Sequence, residues 1–325
     1  MIDATETRTL ISFKNSGIML RGTYHVPYDQ RAGLHTIGKQ NRVGVLILNS
    51  LSLPRSATGD SSVYWADSFA AGGYPTIRLD MSGLGDSDGD IPEDLLEFIN
   101  LGGYEGLVSS AVKELVDLFS LSGIVIYGHC AGSVSTLFGA AASRECKGVV
   151  IMDPYFYLPP TTKQSMMWKR LYSGTLRSSL AGILGNFRDR LKDFHPSLHR
   201  NIPPKNANFA LLQRWKDVAT NGLPILLLQA QSQNTPSVKP KLGEFDYLRH
   251  VLKLADHKTQ VTVQSIGDTD HSFANRAGRS TVSRHVMQWL NTYFPIITLE
   301  DSDAHTLPAV SSDNRTAREN QTVCL

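Results

Sequence analysis

Three side chains in this sequence have the types needed for covalent acyl chemistry, and each stands where an apolar run gives way to a turn. Cys130 lies in Gly128-His129-Cys130-Ala131-Gly132, directly after Ile124-Val125-Ile126-Tyr127 and ahead of the small-residue stretch 133–142. Strand, sharp turn and helix in that order raise a nucleophile above a helix N-terminus, whose partial positive charge favours a thiolate over a thiol of ordinary pKa about 8.5. Flanking glycines suit a strained turn and a helix that passes close by. The competing reading is a small, inert, buried cysteine.

A thiolate nucleophile needs a base and an orienting partner. His271, in Gly267-Asp268-Thr269-Asp270-His271-Ser272-Phe273, follows the last expected strand and is the candidate base, against the plainer reading of a solvated loop histidine. The turn after the run 225–229 reads Ala230-Gln231-Ser232-Gln233-Asn234-Thr235 and holds no carboxylate. Asp153, ending the run 149–152, is therefore the candidate acid, unless it only caps a turn and Gln233 or Asn234 orients His271 by a neutral hydrogen bond. Asp268 and Asp270 read as loop formers. Ala131, directly after the nucleophile, and Leu51, in Asn49-Ser50-Leu51-Ser52-Leu53, are the expected backbone donors of an oxyanion hole. Trp168, Trp215 and Phe187 are candidates to line an apolar acyl pocket, although such aromatics serve packing as often. His195 and His199 have the four-residue spacing of metal ligands on a helix, but Pro196 breaks that helix and no third ligand is evident. No metal and no other cofactor is expected.

The elements that would position these groups follow from hydrophobic patterning. Asn15-Ser16-Gly17 separates two apolar or alternating runs, 9–13 and 18–25, which predicts an N-terminal hairpin. Short buried-strand runs then recur at 43–48, 76–79, 124–127, 149–152, 225–229 and 261–265. Helix-like stretches at 61–71, 106–119, 130–142, 245–255 and 282–293 lie between them, and this alternation predicts an α/β fold with a mostly parallel sheet. Residues 155–221 break the rhythm and are expected to form a helical lid inserted over the sheet, since a structureless loop of that length is improbable. The domain reading is thus a core of 1–154 and 222–297, a lid of 155–221, and a polar tail of 298–325 with little capacity to bury apolar surface.

The 325-residue chain carries 32 basic and 30 acidic residues, a balance that points to neither nucleic acid nor an anionic membrane as a partner. No apolar run approaches the roughly 18 residues that span a bilayer. The first twenty residues mix Asp3, Glu6, Arg8 and Lys14 among apolar ones and offer no signal peptide, so a cytoplasmic location is expected. Cys130, Cys146 and Cys324 are too few and too scattered for a disulfide framework. Asn314 and Asn320 begin glycosylation-type triplets that lack the secretory context to matter. The Gly-rich turn after 76–79 reads as scaffold, with Asp80 bracing the loop, because G-x-G-x-x-G fails at Asp88.

Over roughly residues 8–295 the chain resembles the α/β-hydrolases, and within them the serine-aminopeptidase-like branch. The likeness rests on Arg78-Leu79-Asp80-Met81-Ser82-Gly83-Leu84-Gly85-Asp86-Ser87, on the turn around Cys130 and on Asp268-Thr269-Asp270-His271. It is more specifically similar to the hydrolases associated with bacterial exosortase systems, whose nucleophile turn also carries cysteine and whose next strand ends in a stretch like Asp153-Pro154-Tyr155-Phe156. That resemblance implies the α/β-hydrolase fold and an acyl-transfer site, and little about substrate. The chain departs from the pattern at Asn49-Ser50, where His-Gly is usual, and at Gln233, near the usual acid position. The expected function is hydrolysis of an ester or thioester, the acyl group being presented on a carrier protein or coenzyme A. One alternative is an acyltransferase or cyclase passing that group to an amine or alcohol, and another is a binding module that has lost catalysis.

Overall fold

The computed structural model describes residues 7–28, 42–158, 202–231, 245–255 and 260–296. Its centre is an eight-stranded sheet in the order β1-β2-β4-β3-β5-β6-β7-β8. The strands are β1 (Arg8–Asn15), β2 (Ile18–His25), β3 (Val43–Leu48), β4 (Thr76–Leu79), β5 (Gly123–His129), β6 (Cys146–Met152), β7 (Ile225–Gln231) and β8 (Val261–Gly267). The pairings of β1 with β2 and of β2 with β4 are antiparallel, and all later neighbours run parallel.

Burial explains the two kinds of strand. In β1 exposed and half-buried positions alternate, as suits an edge strand with one face on the protein. In β3, β5 and β6 nearly every residue is buried, because helices cover both faces and both side-chain rows must be apolar. The helices are α1 (Ser61–Ala71), α2 (Leu95–Asn100), α3 (Glu105–Phe119), α4 (Ala131–Ala142), α5 (Phe209–Thr220), α6 (Tyr247–Leu254) and α7 (Arg276–Tyr293). Helices α1 and α7 pack Trp65, Phe69, Val282, Val286 and Leu290 against one face. The other face takes Val108, Ala111, Val112 and Leu115 of α3, spaced i, i+3, i+4 and i+7, together with α4 and α5.

The sequence pattern singles out neither of two further helices, the second of which lies in the segment expected to be a helical lid. Asp94 accepts a hydrogen bond from the Glu97 N–H at 2.8 Å and opens α2. Asn208 accepts from the Leu211 N–H at 3.1 Å and opens α5, which packs on α4 as the helix between β6 and β7. The core therefore reaches back into the segment expected to be lid. Trp215 of α5 is fully buried and its indole N–H donates to the Val251 carbonyl at 2.8 Å, so it is a core residue and not a wall of an acyl pocket. Trp215→Ala is expected to cost about 3–5 kcal/mol of stability, read from urea midpoints, with substrate preference unchanged in the folded fraction.

The ends of the remaining inserted segment are pinned side by side. The Leu158 N–H donates to the Asn206 carbonyl at 2.7 Å, Tyr157 bridges Ala207, and the Asn208 N–H donates to the Phe156 carbonyl at 2.8 Å. Trp168, Phe187, His195, His199, Gln233, Asn234 and the tail 298–325 lie outside the described residues.

Candidate active site

Strands β5, β6 and β8 end on the same edge of the sheet and bring Cys130, Asp153 and His271 together. Cys130 is the residue before α4, with φ 54° and ψ −117°. That conformation is costly for a side chain with a Cβ and persists only where its surroundings enforce it. The surroundings here are hydrogen-bonded. The Cys130 N–H donates to the Met152 carbonyl at 2.9 Å, and the Ser133 hydroxyl oxygen lies 2.9 and 3.0 Å from the Gly128 and Met152 carbonyls, either of which can take its one proton, while accepting the Met152 N–H at 3.1 Å. The flanking glycines are needed for close approach, because a Cβ on Gly128 would lie 2.2 Å from the Gly132 oxygen and one on Gly132 would lie 2.6 Å from the Asn49 oxygen.

Asp153, at φ 42°, presents both carboxylate oxygens to defined donors. Its Oδ1 accepts from the Ala230 N–H at 2.8 Å, and its Oδ2 lies 2.9 Å from His271 Nδ1. Only about an eighth of the Asp153 side chain is exposed, against about half of His271. The Asp153 hydrogen bond, and after it the contact with Cys130, raises the His271 imidazolium to a pKa of about 10. His271 thus carries its proton at neutral pH with a carboxylate on one side and the Cys130 sulfur on the other. Asp270 accepts from the Ser272 N–H at 2.9 Å and hydroxyl at 2.5 Å, so its carboxylate is bonded within its own loop and reaches His271 only through its charge. Burial pushes the Tyr155 phenol up, and the charge at Cys130 adds to it, so this ring lies close enough to feel the sulfur.

The loop after β3 is braced where the expected His-Gly is missing. Asn49 donates through Nδ2 to the Leu53 carbonyl at 2.9 Å and to Asp80 Oδ1 at 3.0 Å, and accepts the Met81 N–H at 2.9 Å. Asp80 is fully buried, accepts from the Arg55 N–H and pairs with the Arg55 guanidinium, and it also accepts from the Asp86 N–H at 3.1 Å, so it ties the Gly-rich turn after β4 to this loop. Leu51 stands in this braced segment at φ 52°, and Ala131 is the first residue of α4, whose N–H has no partner within the helix.

One residue of the site was not singled out from the sequence. His129, whose only sequence signal is its place beside Cys130, has Nε2 2.6 Å from the His271 carbonyl oxygen. Burial, followed by the nearby charge of His271, pushes its imidazolium down to about 4, so its ring is neutral. Cys146 is different in kind, being buried with its thiol pointed at the Gly148 carbonyl at 3.4 Å. Among the described residues no helix is long and apolar enough to cross a membrane.

No protein-family model matches the chain, and no curated protein does. Solved structures are similar to it. The DcsB complex with its substrate analogue aligns with a TM-score of 0.57 at 14% identity, over 88% of this chain and 99% of that one. The α/β-hydrolase GrgF from Penicillium sp. sh18 gives 0.56 at 15%, over 88% and 99%. The Pyrococcus furiosus esterase Pf2001 gives 0.57 at 14%, over 90% and 95%. Such low identities carry the fold and not the chemistry. With an eight-stranded, mostly parallel sheet flanked by helices and these neighbours, the chain has the α/β-hydrolase fold.

Proposed function

We propose that this protein is a hydrolase that opens an ester or thioester through an acyl-enzyme on Cys130. The observation that carries the reading is the 2.9 Å contact of His271 with Asp153 at the turn that raises Cys130. His271 already holds the thiol proton as the imidazolium, and the Cys130 sulfur attacks the acyl carbonyl carbon. The tetrahedral oxyanion is held by the N–H groups of Ala131 and Leu51, and Asp153 stabilises the imidazolium. Collapse expels the alcohol or thiol, which receives the proton from His271. Water activated by His271 then cleaves the new thioester and returns the thiol and a free acid.

The similarity of the nucleophile turn to the exosortase-associated hydrolases supports sulfur in this role, and the esterase among the structural neighbours supports an ester-type bond. The segment between the pinned stems at 157 and 207 is the lid in this reading, and Trp168 and Phe187 are its candidate acyl contacts. Coenzyme A or a carrier protein presents the acyl group.

A second outcome follows from the sulfur itself. An acyl-cysteine is a thioester, which amines attack more readily than oxyesters, so an acceptor positioned before water makes the same enzyme an acyltransferase or cyclase. Intact mass after incubation with an activated acyl thioester is expected to show one acyl adduct, mapped to Cys130. Free acid as the only product, whatever amine or alcohol is offered, removes the transferase reading. Absence of any adduct at Cys130 under conditions that turn substrate over removes the acyl-enzyme reading.

A further inference from the structure

The mechanism above leaves His129 unused, although it is the residue bonded directly to Cys130. Its backbone is fixed in the sheet opposite Met152 of β6. The His271 carbonyl, 2.6 Å from Nε2, can only accept, so Nε2 carries the hydrogen. The two imidazole rings lie 4.9 Å apart and tilted by 46°, and the edge of Phe273 closes on His129 from 5.6 Å at 85°. Phe273 is fully buried at φ 51°, which makes it a rigid backstop. His271 is therefore gripped twice, on its ring by Asp153 and on its backbone by His129. The second grip runs from the nucleophile's own neighbour to the base's own peptide.

We propose that His129 is a positioning residue that sets the placement of the His271 imidazole over the Cys130 sulfur by donating its Nε2–H to the His271 carbonyl. This role rests on Cys130 and His271 acting as nucleophile and base. His129 touches no reacting atom. Its neutrality matters because a second cation beside His271 would oppose the imidazolium that faces the sulfur. The other titratable groups that interact with this pair are Asp153 beyond the end of β6, Cys130 itself, which Tyr155 faces in turn, and Asp270 on the histidine loop, its carboxylate turned toward Ser272.

The test needs no substrate. Alkylation of Cys130 by iodoacetamide is followed on the full chain by peptide mass, which separates it from Cys146 and Cys324, at pH 6 and pH 9.5. Wild type, His129→Leu, His129→Gln and His271→Ala are compared, with thermal midpoints recorded. At pH 6 the sulfur depends on His271 to take its proton, and a misplacement of the order of 1 Å can cost ~10²-fold in such a pair. At pH 9.5 hydroxide and buffer base in bulk solution can take a thiol proton without an adjacent side chain. His129→Leu is expected to react at least about tenfold more slowly than wild type at pH 6 and within about twofold at pH 9.5, whereas His129→Gln, which keeps a donor, stays within about threefold at both. Equal rates for His129→Leu and wild type at pH 6, equal slowing at both pH values, or a glutamine variant no better than leucine would overturn the role of His129. If wild type at pH 6 reacts no faster than His271→Ala, the nucleophile–base reading itself falls, and this role falls with it.

Discussion

Replacing Cys130 with alanine is expected to lower turnover of an activated acyl thioester by about 10⁴-fold or more and to abolish the acyl adduct, with the thermal midpoint little changed. The size of the loss follows from the unity of the site, because without the sulfur neither His271 nor the oxyanion donors have a covalent intermediate to serve. Cys130→Ser is the sharper variant. It keeps the backbone turn and a nucleophilic atom, but a hydroxyl does not ionise at neutral pH and needs a free base. Asp153, the larger cause of the raised His271 pKa, remains in this variant, while the contribution from Cys130 is lost. The His271 pKa should then fall between 6.5 and about 10, so the serine enzyme is mostly idle at pH 6 and gains rate as pH rises through that window. Initial rates of wild type and Cys130→Ser between pH 5.5 and 10 measure this. A serine enzyme with a flat profile would show that His271 is not its base.

Asp153→Asn is expected to cost about 10²–10⁴-fold in turnover while leaving the fold intact. The Ala230 N–H needs an acceptor, so the asparagine oxygen takes the place of Oδ1 and the amide N–H₂ turns to His271. The ring must then accept at Nδ1 and carry its proton on the atom facing the sulfur, which is the wrong tautomer for a base. The pH dependence has a definite sign. In wild type the imidazolium is held up to about 10, so the proton on His271 is present through neutrality and lost only as pH climbs through that value. Without the carboxylate its pKa moves back toward 6.5, and the proton is lost at lower pH than in wild type. The same raised pKa makes a contribution to folding stability that is complete below pH 6.5 and disappears as pH rises through about 10. Histidine ring NMR signals titrated in both proteins report the two midpoints. Coincident midpoints would remove Asp153 as the partner of His271.

Much of this architecture was legible in the chain because buried parallel strands must be apolar on both faces. That constraint leaves short continuous runs such as Val43–Leu48, and their ends mark one edge of the sheet. Cys130 and Asp153 became candidates by standing at the ends of such runs, and His271 by its place in the loop after the last strand. What escaped was of two kinds. Helix α2 is a six-residue element set by one cap, too short to show amphipathic spacing. Helix α5 has helical spacing of its buried residues, but it lies within 155–221, which the sequence set apart as an insertion, and Trp215 drew a functional reading because an isolated aromatic looks alike in a core and in a pocket.

Taken alone, the amino-acid order determined the strand–helix alternation, the nucleophile turn and the candidates for base and acid, since local patterning and glycine spacing carry that information. Tertiary structure decided the rest. Only the parallel pairing of β5, β6 and β7 brings Asp153 within hydrogen-bond distance of His271, with Ala230 completing its hydrogen bonds. Only the packing of the histidine loop against β5 turns His129 toward the carbonyl of His271, a contact between residues 142 positions apart that no local pattern encodes.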